Sequence, residues 1–205
     1  MKSAEDFLAE LNIKSGADLG SDFHSSTHRN PKMEPDFMSG FSDIESLKKQ
    51  IENRAVSLLA TREHGAKELK QKLLQRFPET AELLRAHNEV PGLMMSLVEE
   101  VIEHCQENNW QSDERYVEQA IRSYVAKGQG PLKIQQKLQQ ACANSALISA
   151  YLDWDESEWV ELAQQALEKK YGNSQKPAEQ KEQARRMRFL QSRGFLPSTV
   201  WKSFR

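Results

Sequence analysis

An internal repeat limits this chain to a small group of folds. A segment that starts at Gly65 (GAKELKQKL) aligns with one that starts at Gly130 (GPLKIQQKL), and a looser copy starts at Gly194. Each copy follows a stretch in which apolar residues recur at helical spacing. Repeats of this length stack units that bury their apolar faces on their neighbours. The sequence therefore predicts an all-α protein of tandem three-helix repeats, with about nine helices in an elongated, curved body.

Apolar spacing supports the helical assignment along most of the chain. Two capping boxes, Ser42 with Glu45 and Asp155 with Glu158, mark predicted helix starts. No stretch alternates apolar and polar residues over five or more positions. The four predicted core stripes are Ile44, Leu47, Ile51, Ala55, Leu58 and Leu59; Met94, Leu97, Val98, Val101, Ile102 and Cys105; Tyr116, Val117, Ala120, Ile121, Tyr124 and Val125; and Trp159, Leu162, Ala163, Ala166 and Leu167.

The repeat also places boundaries in the chain. Residues 1–42 are predicted to be a flexible acidic tail that is dispensable for folding, because they are rich in Pro, Gly and Ser and lack periodicity. The first repeat spans 43–111 and has an extended loop at 77–92. The second spans 112–153 and the third 154–205.

Glycine and proline mark the predicted turns of each repeat. We expect Gly65, Gly128, Gly130, Pro131 and Gly194 to be structural, with a positive φ at Gly128 and at Gly130. Pro131 suits the first turn of the helix that follows. A Gly130→Val substitution should therefore strain the backbone.

Several function classes are disfavoured. The 205-residue chain has a mean hydropathy of −0.73 and lacks an apolar run of about 18 residues, so no membrane span is expected. The first residues resemble no secretory signal, and we expect a cytoplasmic protein. Cys105 lies on an apolar stripe and is expected in the core, and Cys142 has no partner for a metal pair. No phosphate-binding loop, catalytic triad or metalloprotease motif occurs, so the sequence predicts no enzyme, no metal and no cofactor.

Basic residues recur around each glycine turn. Residues 1–44 carry a net charge of −4 and residues 181–205 carry +6. On stacked repeats the recurring cations would form one stripe suited to a repeating acidic partner, although each could also merely cover a helix end. The predicted partner-binding residues are Arg62, Lys67, Lys70, Arg115, Arg122, Lys127, Lys133, Lys137, Arg185, Arg188 and Arg193.

Four ordered motifs resemble those of the RecX regulatory proteins. They are 60–73 (ATREHGAKELKQKL), 109–116 (NWQSDERY), 128–134 (GQGPLKI) and 188–195 (RFLQSRGF). The resemblance covers residues 45–205, although Gln129 stands where an aromatic residue is usual and Lys133 where arginine is usual.

The resemblance implies a regulator that binds the RecA recombinase filament and limits its assembly, ATP hydrolysis and strand exchange in recombination and DNA repair. Similar proteins lie in the filament groove, and several also bind DNA. We expect a monomer whose partner is the RecA filament. A helical-repeat protein that grips single- or double-stranded DNA directly through its basic stripe is the alternative.

Overall fold

A computed structural model describes residues 39–86 and 91–204, with side chains from residue 44 onward. The expectations for residues 1–38 lie outside the described residues. The described ranges contain helices and no strand, which confirms the all-α prediction. The ten helices in the described ranges are α1 (Ser39–Thr61), α2 (Ala66–Arg76), α3 (Ala81–Ala86), α4 (Leu93–Glu107), α5 (Asp113–Ala126), α6 (Pro131–Ala141), α7 (Ser145–Tyr151), α8 (Glu156–Tyr171), α9 (Gln180–Arg193) and α10 (Pro197–Lys202).

Two helix boundaries differ from the prediction. Helix α1 already begins at Ser39, so Ser42 lies inside the helix and the capping box predicted there is wrong. Gly40 is the only poor helix former in its first turn, at a cost of about 1 kcal/mol. The predicted loop 77–92 contains the short helix α3, which begins because the hydroxyl of Thr80 accepts a hydrogen bond from the amide of Leu83 at 3.2 Å.

The chain folds into two compact units. Unit 1 comprises the described part of residues 1–62 together with Leu69–Gln111. Helices α1 and α4 pack against each other in this unit. The complete predicted stripe of α4 is buried, and Ile51, Ala55 and Leu59 of the α1 stripe are buried as well. The Glu79 carboxylate accepts hydrogen bonds from the amides of Gly92 and Met94 and so satisfies donors at the start of α4.

Unit 2 comprises residues 63–68 and the described residues from Ser112 onward. Asp155 begins α8 with the predicted capping box, in which the Glu158 carboxylate accepts the Asp155 amide at 2.9 Å. The unit has one apolar core, to which helices α5–α10 and the adjoining turns contribute. Its buried residues are Tyr116, Val117, Ile121, Ile134, Leu138, Ala141, Cys142, Ile148, Trp159, Ala163, Ala166, Leu167, Leu190, Phe195 and Val200.

Glycine is required at these turns for two different reasons. Gly128 and Gly194 have φ of 66° and 89°, so both adopt the left-handed conformation that favours glycine. Pro131 is the first residue of α6, as predicted. The positive φ expected at Gly130 is wrong, because its φ is −89°. A Cβ atom on Gly130 would instead lie 2.6 Å from the backbone of Gly194, so this position requires glycine for a close approach of two chain segments.

None of the helices in the described ranges is long and apolar enough to span a membrane.

Candidate interaction surface

The predicted partner-binding residues belong to both units. Arg62 and Lys70 lie in unit 1 and the other nine lie in unit 2. The continuous stripe therefore remains a prediction. Within each unit, the contacts of the cations separate those that the fold itself uses from those that are open to a partner.

Two of the predicted lysines bind the carboxyl ends of helices. The ammonium group of Lys67 donates to the carbonyl of Gln139 at 3.0 Å, near the end of α6. That of Lys133 donates to the carbonyl of Ser192 at 3.1 Å, near the end of α9. The last carbonyls of a helix lack intrahelical donors and carry its negative dipole end, so both lysines stabilise these ends.

Arg193 belongs to a hydrogen-bonded joint between the α9 end and the α6 start. The amide of Gly130 donates to the carbonyl of Arg193 at 2.8 Å, and the amide of Leu132 donates to the carbonyl of Gly194 at 3.1 Å. In return, Nη1 of Arg193 donates to the carbonyl of Lys127 at 2.9 Å. Helix α6 thus satisfies its first donors with the last acceptors of α9.

Four further cations pair with carboxylates. The Arg115 guanidinium lies 2.8 Å from Glu63 in unit 2, and the Lys70 ammonium lies 2.5 Å from Glu99 in unit 1. Arg122 pairs with Glu118 one turn earlier in α5, and Arg185 pairs more loosely with Glu182, at 3.6 Å. Exposed pairs of this kind contribute up to about 1 kcal/mol.

The exposed face of α9 carries three accessible cations. Lys181, Arg185 and Arg188 occur at positions i, i+4 and i+7 and are all exposed. Within the described chain, neither Lys181 nor Arg188 pairs with a carboxylate. This face is therefore positively charged and accessible to a partner.

Arg62 is exposed just after the end of α1, and two further predicted residues lie against an aromatic ring. The ammonium groups of Lys127 and Lys137 lie 5.7 and 4.5 Å from the ring centroid of Tyr124. Both distances are within the range of a cation–π interaction. Tyr124, which the apolar spacing predicts in the core, is half-buried.

Arg186 is an organising residue that the sequence analysis missed. Its Nη1 donates to the carbonyl and the side-chain oxygen of Asn173 and to the carbonyl of Gln175, and its Nε lies 3.4 Å from Glu182. The guanidinium also lies 4.9 Å from the ring centroid of Tyr171. Arg186 is 9% exposed. Its hydrogen bonds to Asn173 and Gln175 hold the loop between α8 and α9 in place. Its place three residues before Phe189 and four before Leu190, on the inner face, is the signal that could have found it.

Three large apolar side chains of unit 2 are exposed. Trp201 is 58% exposed, Leu132 48% and Leu196 40%. Leu132 and Leu196 each lie two residues after a turn glycine. Tryptophan is rarely left this accessible, and it is enriched at the centres of protein interfaces.

The two cysteine thiols are buried and unreactive. Burial raises the pKa of the Cys105 and Cys142 thiols to about 12, and carboxylates add to the effect, Glu52 at Cys105 and chiefly Asp113 at Cys142. Both thiols thus remain protonated and inert at neutral pH. The prediction that Cys105 lies in the core is confirmed. No group of three potential metal ligands occurs in the described residues.

Unit 1 contains an open groove of about 560 Å³ beside α1 and α4. Its lining mixes both charge signs, and His104 at its edge lies 3.3 Å from the Glu52 carboxylate and edge-on to Trp110. The lining residues are Glu45, Ser46, Lys48, Lys49, Glu52 and His104.

The fold and the surface together define a class of protein. Three helices follow one another in residues 113–151 and again in 156–202, with a glycine turn after α5 in the first set and after α9 in the second. Their accessible features include basic and aromatic side chains. This combination is typical of a helical-repeat interaction protein.

Comparisons with known proteins identify the family. Residues 112–152 match the model of the second three-helix domain of RecX, and residues 156–203 match that of the third. The chain is 36% identical to the regulatory protein RecX of Vibrio parahaemolyticus over 141 residues, which cover 69% of this chain and 81% of that protein. It is 31% identical to that of Serratia proteamaculans over 160 residues, 75% of this chain and 95% of that protein. The chain belongs to the RecX family of regulatory proteins.

Solved structures agree with this fold. The crystal structure of RecX from Lactobacillus salivarius is similar with a TM-score of 0.57 and 16% identity, covering 79% of this chain and 95% of that one. A second crystal structure of a regulatory protein RecX gives a TM-score of 0.59 and 15% identity, covering 85% of this chain and 80% of that one.

Proposed function

We propose that this protein binds the RecA recombinase filament and limits its assembly, its ATP hydrolysis and its strand exchange. Membership of the RecX family, at 36% identity over 141 residues, is the observation that carries the proposal. The order of its four motifs, from the segment at Gly65 to the segment at Gly194, supports it further.

The surface of unit 2 suits a protein filament. The α9 face of Lys181, Arg185 and Arg188 offers charge that steers and orients an acidic partner. Trp201 offers a large apolar group that a protein partner would cover. Extended contacts of this kind need no enclosed pocket, and they fit a partner that presents the same surface in every subunit.

The deciding experiment is a titration of the single-strand-dependent ATPase of RecA. We expect inhibition at ratios well below one molecule of this protein for each RecA subunit, because one protein bound to a filament affects many subunits. Unchanged hydrolysis at every ratio would contradict the proposal. If the same protein then bound DNA tightly with a steep salt dependence, the alternative of a direct DNA binder would replace it.

A charge-reversal variant on α9 tests whether the basic face of this helix contacts the RecA filament. We expect Arg188→Glu to inhibit the ATPase severalfold less well than the parent, because it places a negative charge on the basic face. Arg54→Glu on α1 is the matched control, since both arginines are exposed and lack a carboxylate partner among the described residues. Helical content and thermal midpoint should stay unchanged in both variants. Equal losses of ATPase inhibition in Arg188→Glu and Arg54→Glu would exclude the α9 face as the binding surface.

A further inference from the structure

Residues 63–68 belong to unit 2, although the chain on either side of them belongs to unit 1. They comprise the end of the loop that follows α1 and the first three residues of α2. Their contacts place them where α5 begins and α6 ends. We call residues 63–68 the strap, because they lie on the rest of unit 2 as a short separate segment.

Two cations of the predicted partner-binding set take part in holding the strap. The Arg115 guanidinium of α5 lies 2.8 Å from the Glu63 carboxylate of the strap. The Lys67 ammonium of the strap donates to the carbonyl of Gln139 in α6 at 3.0 Å. The Arg115 and Glu63 side chains are 38% and 27% exposed, so their ion pair is open to water and is weakened by salt. The closed strap thus occupies two cations that are predicted to bind a partner.

The strap also covers the thiol of Cys142. A Cβ atom on Gly65 would lie 2.8 Å from Sγ of Cys142 and would collide with the carbonyl of Ala141, so the strap lies directly on the end of α6. The Asp113 carboxylate accepts a hydrogen bond from the Ala66 amide at 2.7 Å and also interacts with the Cys142 thiol. Cys142 is 2% exposed. Its thiol therefore becomes accessible to a reagent when the strap moves away.

The strap should open at a lower free energy than the rest of unit 2. It contributes no residue to the buried apolar cluster of the unit, and its buried side chain, that of His64, is polar. Opening thus transfers little apolar surface to water, and segments with few buried apolar contacts open first. The fully buried Leu69 follows the strap directly and holds the rest of α2 in place. The opening can therefore stay local.

We propose that the strap is an autoinhibitory contact, which opens reversibly and releases Arg115 and Lys67 for an acidic segment of a protein partner. A carboxylate of the partner can replace that of Glu63, because both present the same group to the Arg115 guanidinium. The partner binds the open strap more tightly than the closed one, so it shifts the equilibrium toward the open state. The proposal goes beyond the proposed function, because it concerns access to two cations and does not depend on which acidic protein binds them.

The first test measures opening by the reaction of the full chain with N-ethylmaleimide, a neutral thiol reagent. Mass spectrometry follows each cysteine separately, and the rate in the urea-unfolded protein corrects for the intrinsic reactivity of the thiol. We expect Cys142 to react severalfold faster at high salt, which weakens the contacts of the strap. Cys105 is the internal control, because it is buried in the α4 stripe of unit 1. An equal salt response of both thiols would overturn the proposal.

Substitutions in the ion pair assign the opening to the strap. Glu63→Gln and Arg115→Gln should each accelerate the reaction of Cys142 by about two- to fivefold, as expected for the loss of a partly exposed ion pair. Glu118→Gln is the matched control, since it breaks the pair of Glu118 with Arg122 on the same helix and leaves the strap intact. A thermal melt identifies a variant that fails to fold, and the other strap variant then carries the test. Parental rates in the strap variants, or equal acceleration in Glu118→Gln, would overturn the proposal.

The second test measures binding of fluorescent polyglutamate, the simplest acidic polypeptide, by anisotropy. Glu63→Gln opens the strap and keeps both cations, so we expect it to bind severalfold more tightly than the parent. Arg115→Gln opens the strap as well but removes one of the cations, so it should bind no more tightly than the parent. Glu161→Gln controls for net charge, because Glu161 is an exposed carboxylate of unit 2 that pairs with no cation of the described residues.

Two results of the binding test would overturn the proposal. Equal gains in Glu63→Gln and Glu161→Gln would mean that net charge alone governs binding. Equal gains in Glu63→Gln and Arg115→Gln would mean that the released arginine does not contact the acidic chain. RecA inhibition by the parent is measured separately, so failure of the strap tests with intact inhibition would leave the proposed function standing.

Discussion

Gly130 is a residue whose need for glycine comes from its neighbour and not from its own backbone angles. Its φ of −89° is open to any residue, but a Cβ atom would lie 2.6 Å from the backbone atoms of Gly194 and Phe195. Neighbouring backbone cannot rotate away as a flexible side chain can. The joint between α6 and α9 therefore depends on the missing side chain.

We expect Gly130→Ala to lower the free energy of unfolding by about 1–3 kcal/mol, the usual cost of overpacking a close contact. It should also accelerate hydrogen exchange at the amide of Leu132, which bonds to Gly194. Gly172→Ala is the control, because Gly172 has a φ of 83° and open space around its Cβ position. That variant should lose stability through backbone strain and leave exchange at Leu132 unchanged. Equal exchange in both variants would show that the joint does not require the close approach.

The buried cysteines make stability depend on alkaline pH. Their pKa rises from 9.0 to about 12, so the folded state keeps the proton that the unfolded state releases. This stabilisation is complete below pH 9 and is lost between pH 9 and 12, by up to about 1.4 kcal/mol per pH unit for each thiol. Between pH 8 and pH 10 the parent should lose about 2–3 kcal/mol more than Cys105→Ala/Cys142→Ala, as measured by urea unfolding. Equal losses of unfolding free energy in the parent and the double variant would mean that the thiols are accessible to solvent.

At the level of the helices, apolar spacing predicted the core well. Every residue of the α4 stripe is buried, and the Asp155 capping box begins α8 as expected. Helix α3 was missed because six residues without a buried side chain leave no periodic signal. Only the Thr80 cap marks its start. Local sequence thus predicts helices that bury a face and fails for those that do not.

The interaction surface was less predictable for a related reason. Sequence position shows that a lysine follows a turn but not which group its ammonium meets. Lys133 and Lys137 are one turn apart on α6, yet the first binds a helix-end carbonyl and the second a tyrosine ring. An aromatic partner can come from another helix, as Phe189 of α9 does for Lys170 of α8, so only the folded chain brings the ring to the cation.

At the scale of the whole molecule, the distribution of the core decides which parts can fold alone. The buried cluster of unit 2 draws every one of its residues from positions 116–200. Residues 63–68 add polar contacts to this unit, among them the amide of Ala66 to the Asp113 carboxylate at 2.7 Å. They contribute no residue to that cluster, so their loss removes hydrogen bonds but no buried apolar side chain.

We therefore expect a fragment of residues 112–205 to fold by itself. Its length is within the range of independent domains, and its core is complete without the rest of the chain. Circular dichroism should show a helical spectrum, and heating should give one cooperative transition at a lower temperature than in the full chain, since the contacts of residues 63–68 are absent. Leu138→Ala within the fragment should abolish that transition, because it truncates a fully buried side chain in a small core, at a cost of about 2–5 kcal/mol. A gradual, non-cooperative melt of the unmutated fragment would mean that unit 2 needs the first repeat to complete its structure.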